Sequence, residues 1–379
     1  MRKNLVLVGG GHAHLTALLT LAGYVERGHR VTVVSPSPFH YYSGMGPGML
    51  SGLYRPQEVR FHIEKMVQDR GGIFLPDWVM RIDPVQRILF LHSEKQIPYN
   101  VVSFNTGSEV PLHPILSAMQ ENIIPVKPVV NLLKARRLIA KAYLERKMNF
   151  IVIGGGPAGV EVAANLWRLT QENQRRIKII LIAGQRLLGE FPNRARALAL
   201  RSFSRRGIEV IEGNQAKEIK KEKVIISDGR ALSFDFVFVA SGIKPSPIFK
   251  ESNLPTGEDG GLLVNSHLQS VAHPEIFGGG DCISLSEHPL TKVGVYAVRQ
   301  NPILARNLLA ALEGEEMQSF IPEKDYMLIL NMGDGRGILW KKKFIWNGRL
   351  AFLLKDYIDR KFMKQFQVSG EREESDEII

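Results

Sequence analysis

Two stretches of this chain repeat the same pattern: a short apolar run stops in a cluster of glycines and restarts as a helix. Leu5-Val6-Leu7-Val8 runs into Gly9-Gly10-Gly11-His12-Ala13-His14, then into the apolar-periodic stretch Leu15 to Val25 and a second apolar run, Arg30 to Val34. Phe150 to Ile153 runs into Gly154-Gly155-Gly156-Pro157-Ala158-Gly159, a helical stretch from about Val160 to Leu169, and Lys178 to Ile182. Strand, glycine turn, helix and strand in that order make a dinucleotide half-fold. The first glycine permits the tight turn, the second admits a pyrophosphate against the backbone, and the helix N-terminus favours the phosphate charge. One such motif is weak, but two in matching context hold the chain to an α/β architecture with two nucleotide sites.

The copies differ in detail. Gly154, Gly156 and Gly159 fill all three places, whereas the first copy has Gly9 and Gly11 but His14 at the third. The acid expected about 20 residues on, which would grip a ribose 2′-hydroxyl, is missing from both. Ser35 ends the second run of the first copy, and Ala183-Gly184 ends that of the other. The choice between NADH and NADPH therefore stays open, with Arg186 either a partner for a 2′-phosphate or a solvated loop charge.

Two further apolar runs, Val101 to Gly107 and Phe236 to Gly242, each end in a small hydroxyl residue and a glycine, like matched exits from the two units. Glu275-Ile276-Phe277 leads into Gly278-Gly279-Gly280-Asp281 and a helix expected near Thr291, which we assign back to the first unit. The predicted architecture is two Rossmann-like domains, the second inserted in the first. The first comprises residues 1–110 and 251–320, the second 111–250, and a C-terminal α/β segment covers 321–379.

With 379 residues and 44% hydrophobic content the chain can bury two or three domain cores. No span approaches the roughly 20 apolar residues of a transmembrane helix, and the run after Asn4 is too brief for a signal-peptide core. The single cysteine, Cys282, excludes an internal disulfide and dithiol chemistry, and fits a reducing, cytoplasmic setting. His12 and His14 have no carboxylate or cysteine cluster beside them, so no metal site is expected.

The net charge of +11 carries no recognisable nucleic-acid module. It is concentrated between Lys341 and Lys364, where eight Lys or Arg face Asp356 and Asp359. An acidic tail from Glu371 to Glu377 follows, expected to be disordered. Within the basic stretch, Leu350, Leu353, Leu354, Tyr357, Ile358, Phe362 and Phe366 fall at helical spacing, opposite Lys355, Asp359, Arg360 and Lys364. Such a stripe suits an anionic bilayer, the protein's own body or the mate in a homodimer.

The glycine motifs, Asn105-Thr106-Gly107, Ala240-Ser241-Gly242 and Gly280-Asp281, in this order and over nearly the whole chain, resemble the pyridine nucleotide-disulfide oxidoreductase superfamily. GGGHAHL (from Gly9), YSGMGPGMLSG (from Tyr42), TKVGVYAVRQ (from Thr291) and KDYIDRKFMKQF (from Lys355) resemble its type II NADH dehydrogenase-like branch. They are especially similar to the flavoprotein module sometimes fused to selenide, water dikinase, although no kinase half accompanies them here.

The resemblance implies FAD in the first domain, with Gly9, Gly11 and His12 at the first turn, and Ser35, Thr106, Gly107 and Gly280 around it. Asp281 would hydrogen-bond the ribitol, and the helix entered through Val293 would point its N-terminus at the flavin. It implies NAD(P)H on Gly154, Gly156 and Gly159, with Glu161 near the nicotinamide and Gln300 beside flavin and quinone. The implied reaction is hydride transfer from nicotinamide to flavin, then two electrons to an acceptor, a quinone by this resemblance, at the inner face of the cell membrane. A reductase of a soluble protein or of a sulfur or selenium compound is the rival within the same class, and a flavin-binding redox sensor the rival outside it.

Overall fold

The computed structural model describes residues 1–112, 115–116, 120–142, 148–171, 177–323 and 325–374. Its first sheet is five parallel strands in the spatial order Ile276–Gly278, Val101–Phe104, Asn4–Val8, Arg30–Val34, Ile73–Leu75. Leu5, Leu7 and Val33 are fully buried in it, as expected for strands covered on both faces. The chain leaves this sheet after Phe104 and re-enters it at Ile276, beside the strand it left.

Between exit and return lies a second sheet with the same plan: Ile123–Pro125, Phe236–Val239, Asn149–Ile153, Lys178–Ile182, Ile208–Ile211, all parallel. In both sheets the strand before the glycine turn is central, so each turn opens at the carboxyl edge, where such sheets bind ligands. The helix after the second turn runs Pro157–Gln171. The one after the first is split into Leu15–Leu19 and Leu21–Glu26, against the single helix the periodicity predicts. The break falls at Thr20, whose hydroxyl donates to the Thr16 carbonyl at 2.8 Å beside its own amide at 2.9 Å, a shared acceptor of the kind that bends helices.

A three-stranded antiparallel sheet, Leu328–Asn331, Gly337–Lys341 and Phe344–Gly348, closes the molecule and leads into a helix, Arg349–Phe366. Here the expected faces are redrawn. Ala351, Phe352, Met363 and Phe366 point inward as apolar anchors, but so do Lys355 and Asp359, which the spacing places opposite the apolar stripe. Leu350, Leu353, Leu354, Tyr357 and Ile358 face outward, with Phe344 and Trp346 of the preceding strand also exposed. The inner face can hold two charges because they neutralise each other, Lys355 Nζ lying 2.6 Å from Asp359 Oδ2. Among the described residues no helix is long and apolar enough to cross a membrane.

The acidic tail is likewise corrected as far as Glu374. Glu371 is buried and accepts from the His62 amide, and Glu374 reaches the buried Arg60 guanidinium. An arginine without water needs a counter-charge, and the tail supplies it. Asp376 and Glu377 lie outside the described residues.

Candidate functional site

The first turn is shaped by what its glycines touch. Gly9 has φ +86°, and a Cβ there would stand 2.4 Å from the Asn105 carbonyl oxygen. A Cβ on Gly11 would stand 1.7 Å from Asn105 Oδ1. Asn105 Nδ2 in turn donates to the Gly279 carbonyl at 2.6 Å, and the Gly280 amide donates to Gln300 Oε1 at 2.6 Å. Three segments far apart in sequence are thereby stitched around one cleft.

His14 replaces the third glycine by binding across the gap that close packing would have closed. Its Nδ1 is 2.6 Å from the Gly9 carbonyl and its Nε2 2.8 Å from Ser103 Oγ. Burial pushes its pKa down to about 4, only partly opposed by the Gly9 carbonyl, so the ring is neutral. A carbonyl can only accept, so Nδ1 carries the proton and Nε2 accepts from the Ser103 hydroxyl.

His12 is buried as well and held to about 4, first by burial and then by the charge of Lys127. Its Nδ1 is 3.2 Å from His40 Nε2, its ring stacks on Phe362, and its Nε2 has no hydrogen-bond partner among the described residues. Ser35 spends its hydroxyl on the Ser37 carbonyl.

Asp281 receives Ser108 Oγ at 2.8 Å and Lys127 Nζ at 2.5 Å. Lys127 is a site residue that no sequence signal marked, because nothing in its spacing announces a partner 154 positions away. The following helix begins at Gly294, capped by Val293, somewhat later than expected, and has no acid in its first turn to use up its N–H groups. Gly280, Asp281, Lys292, Val293, Tyr296 and Gln300 all line this cleft. Thr106 is exposed beside it, and Gly107 (φ +71°) has open space where a side chain would stand.

The second turn repeats the logic. Gly154 (φ +128°) would place a Cβ 2.6 Å from the Ala240 carbonyl oxygen, and Gly159 one 1.9 Å from that of Gly154. Gly156 has nothing within 4 Å, leaving backbone open to an incoming group. Both turns thus offer side-chain-free backbone at a sheet's carboxyl edge, which fits the pyrophosphates of FAD and of a nicotinamide dinucleotide.

Glu161, on the first turns of the helix Pro157–Gln171, is mostly buried where that helix meets the C-terminal segment. Burial raises its carboxyl to about 7, opposed by the nearby Lys355 ammonium and by the Asn331 amide, which donates to Oε1 at 2.7 Å. Lys355 donates to the Gly44 carbonyl and to Asp359, each at 2.6 Å, and Tyr42 Oη donates to Asp359 at 3.1 Å. Burial pushes the Asp359 carboxyl up. It also works against the Lys355 charge, but Asp359 and Glu161 outweigh it and hold the ammonium above the usual lysine range. One polar cluster therefore joins the first domain, the second domain and the C-terminal helix. Gln300 is not part of it, since its partner is the Gly280 amide.

Cys282 is buried with its thiol against the carbonyls of Phe104 and Gly279, 3.3 Å each, and burial pushes its pKa up. It is a packed thiol, not a nucleophile.

The family described as pyridine nucleotide-disulphide oxidoreductase matches residues 3–305. A probable NADH dehydrogenase of Dictyostelium discoideum is 26% identical over 221 residues, 55% of this chain and 49% of that protein. The type II NADH:quinone oxidoreductase of Haemophilus influenzae is 27% identical over 190 residues, 46% and 43% respectively. The chain thus spans about half the length of these curated relatives. Among solved structures, NDH2 from Plasmodium falciparum in complex with NADH superposes with a TM-score of 0.82, covering 98% of each chain at 15% identity. The sulfide:quinone oxidoreductase of Aquifex aeolicus gives 0.79, covering 97% of this chain and 92% of that one at 16% identity. At such identities the structural likeness concerns the fold.

Proposed function

The chain belongs to the pyridine nucleotide-disulphide oxidoreductase family, and from that premise we propose that it is an FAD-dependent NAD(P)H dehydrogenase whose electron acceptor is a quinone. The observation that carries the reading is the mostly buried Glu161 carboxyl, poised near neutral pH between the nicotinamide-binding helix and the C-terminal segment. FAD, when bound, supplies the hydride and electron chemistry. The protein supplies positions and a proton. In this reading residues 1–110 and 251–320 hold FAD through Gly9, Gly11, Gly107 and Asp281, and residues 111–250 hold NAD(P)H through Gly154, Gly156 and Gly159. Gln300 keeps the Gly280 amide in register. A quinone becomes a quinol only by gaining protons, and Glu161 Oε2, not engaged by the Asn331 amide, is the atom that delivers one.

The outward apolar stripe supports the same acceptor. Leu350, Leu353 and Tyr357 are each more than half exposed, beside the basic residues Lys341, Lys343 and Lys361. That combination fits an anionic bilayer, where a quinone is found.

The test begins with anaerobic bleaching of the purified, flavin-loaded protein by NADH or NADPH. Quinone analogues should then restore the yellow colour quickly, and Glu161→Gln should bleach normally but recolour slowly. Recolouring by a sulfur or selenium compound and not by quinones would move that rival ahead. A long-lived reduced state with every oxidant would favour the sensor.

A further inference from the structure

In a sheet of this kind the adenosine ribose of a bound dinucleotide lies beyond the carboxyl end of the strand after the glycine helix. That strand is Lys178–Ile182, and the loop 183–188 that follows it is firmly tied. The Leu188 amide donates to the Gly155 carbonyl at 2.7 Å, inside the phosphate turn, and the Asn214 amide donates to Gly184 at 3.1 Å. Whatever this loop presents is presented next to the pyrophosphate.

It presents no acid. Between Ala183 and Asn193 the only carboxylate is Glu190, beyond the point where Leu188 closes onto the turn. The nearest alternative, Glu212, has both oxygens committed, one to the Leu187 amide at 2.7 Å and the other to Arg196 at 2.6 Å. Among the described residues of this loop and its neighbours, a ribose 2′-hydroxyl therefore finds no free carboxylate. The loop does offer Arg186, exposed, with its guanidinium on the neutral Asn193 Oδ1 at 2.5 Å and, among the described residues, no hydrogen bond to a carboxylate, although Glu212 lies near enough to feel its charge. Arg194, also exposed, adds a second positive charge next to Asn193.

We infer that the inserted domain selects a 2′-phosphorylated nicotinamide nucleotide, NADPH over NADH, and that Arg186 is the side chain that reads the 2′-phosphate. A guanidinium offers paired N–H donors matched to phosphate oxygens, and exchanging Asn193 for a dianionic phosphate replaces a neutral acceptor with a charged one. The inference rests on the nicotinamide-binding reading above.

The test is equilibrium dialysis of the oxidised, flavin-loaded full chain against NADP⁺ and NAD⁺, which bind without turnover. NADP⁺ should bind on the order of 10-fold tighter or better, increasingly so at low salt. Arg186→Ala should weaken NADP⁺ roughly 10- to 100-fold, the worth of a hydrogen bond to a charged group, and leave NAD⁺ unchanged. Arg186→Glu should reverse the order of preference. Equal affinities in the unaltered protein, or equal loss of both nucleotides in Arg186→Ala, overturns the inference while leaving the dehydrogenase reading in place. Binding of neither nucleotide overturns both.

Discussion

Arg60 Nη2 lies 2.6 Å from Glu374 Oε2, joining residues 314 positions apart. Arg60 is among the largest fully buried side chains, while the Glu374 side chain is 17% exposed. The pair is mostly dry, and the guanidinium also stands 4.2 Å from the centre of the Phe39 ring.

Removing Glu374 should therefore cost more than a surface ion pair would. Stranding a fully buried charge costs about 3–5 kcal/mol, and the partial exposure here lowers that to about 2–3 kcal/mol for Glu374→Ala. Thermal unfolding of the flavin-loaded protein reads it as a drop in midpoint of several degrees. A midpoint unchanged within a degree would show that water, not the tail, neutralises Arg60.

Lys355 and Asp359 allow a sharper comparison, since both are buried on the C-terminal helix. Lys355→Met should destabilise by about 3–5 kcal/mol, because Asp359 stays behind unpaired, and adding Asp359→Leu should recover most of the loss. A double variant no more stable than the single one would mean that Tyr42 and the Gly44 carbonyl, not the ion pair, set the geometry.

These two pairs show where the sequence was legible. The strands Arg30–Val34 and Lys178–Ile182 fall where their apolar runs place them, because a strand buried on both faces has to be continuously apolar. The glycine turns were legible for a related reason: a positive φ at Gly9 or a 1.9 Å approach at Gly159 leaves no other residue type. Lys355, Asp359, Glu371 and Lys127 were not. A charged residue type does not reveal that Lys355 and Asp359 will pair one turn apart inside the fold, or that Lys127 and Glu371 will meet Asp281 and His62 from 154 and 309 positions away. The split at Thr20 escaped notice because apolar spacing persists on both sides of it.

The pH dependence of Glu161 has a definite sign. Its folded-state carboxyl titrates at about 7, above the ordinary 4.5, so the native protein binds a proton more tightly than the unfolded chain. The stability this contributes is fully present below about 4.5 and is lost as pH rises to 7. Glu161→Gln should show no such loss across that window. If Glu161 delivers the proton, the quinone-dependent rate should fall as pH climbs past about 7, and Glu161→Gln should lose about 10²-fold or more together with that limb. An identical pH profile in the variant would remove Glu161 from the proton path.

Cys282 should prove dispensable. Its thiol is buried against two carbonyls and held above its usual pKa, so thiolate chemistry is suppressed. Cys282→Ala should keep its flavin and most of its turnover, at a cost of about 1 kcal/mol in stability for the lost packing. Abolished turnover in a flavin-replete variant would revive a covalent sulfur mechanism.

The outward stripe gives the last prediction. Leu353 and Tyr357 are 56% and 63% exposed, so Leu353→Glu with Tyr357→Glu should leave the unfolding midpoint within about two degrees. The same pair of changes places two carboxylates where a bilayer would meet Lys343 and Lys361. Each basic residue near an anionic surface is worth about 1 kcal/mol, so the unaltered protein should co-sediment with anionic vesicles at low salt, less at high salt, and little with neutral ones. The double variant should stay in the supernatant throughout and lose activity toward vesicle-embedded quinone but not toward a soluble analogue. If instead the unaltered protein ignores vesicles, and the double variant halves its sedimenting mass, the stripe holds two copies of the chain together and the argument from membrane to quinone fails with it.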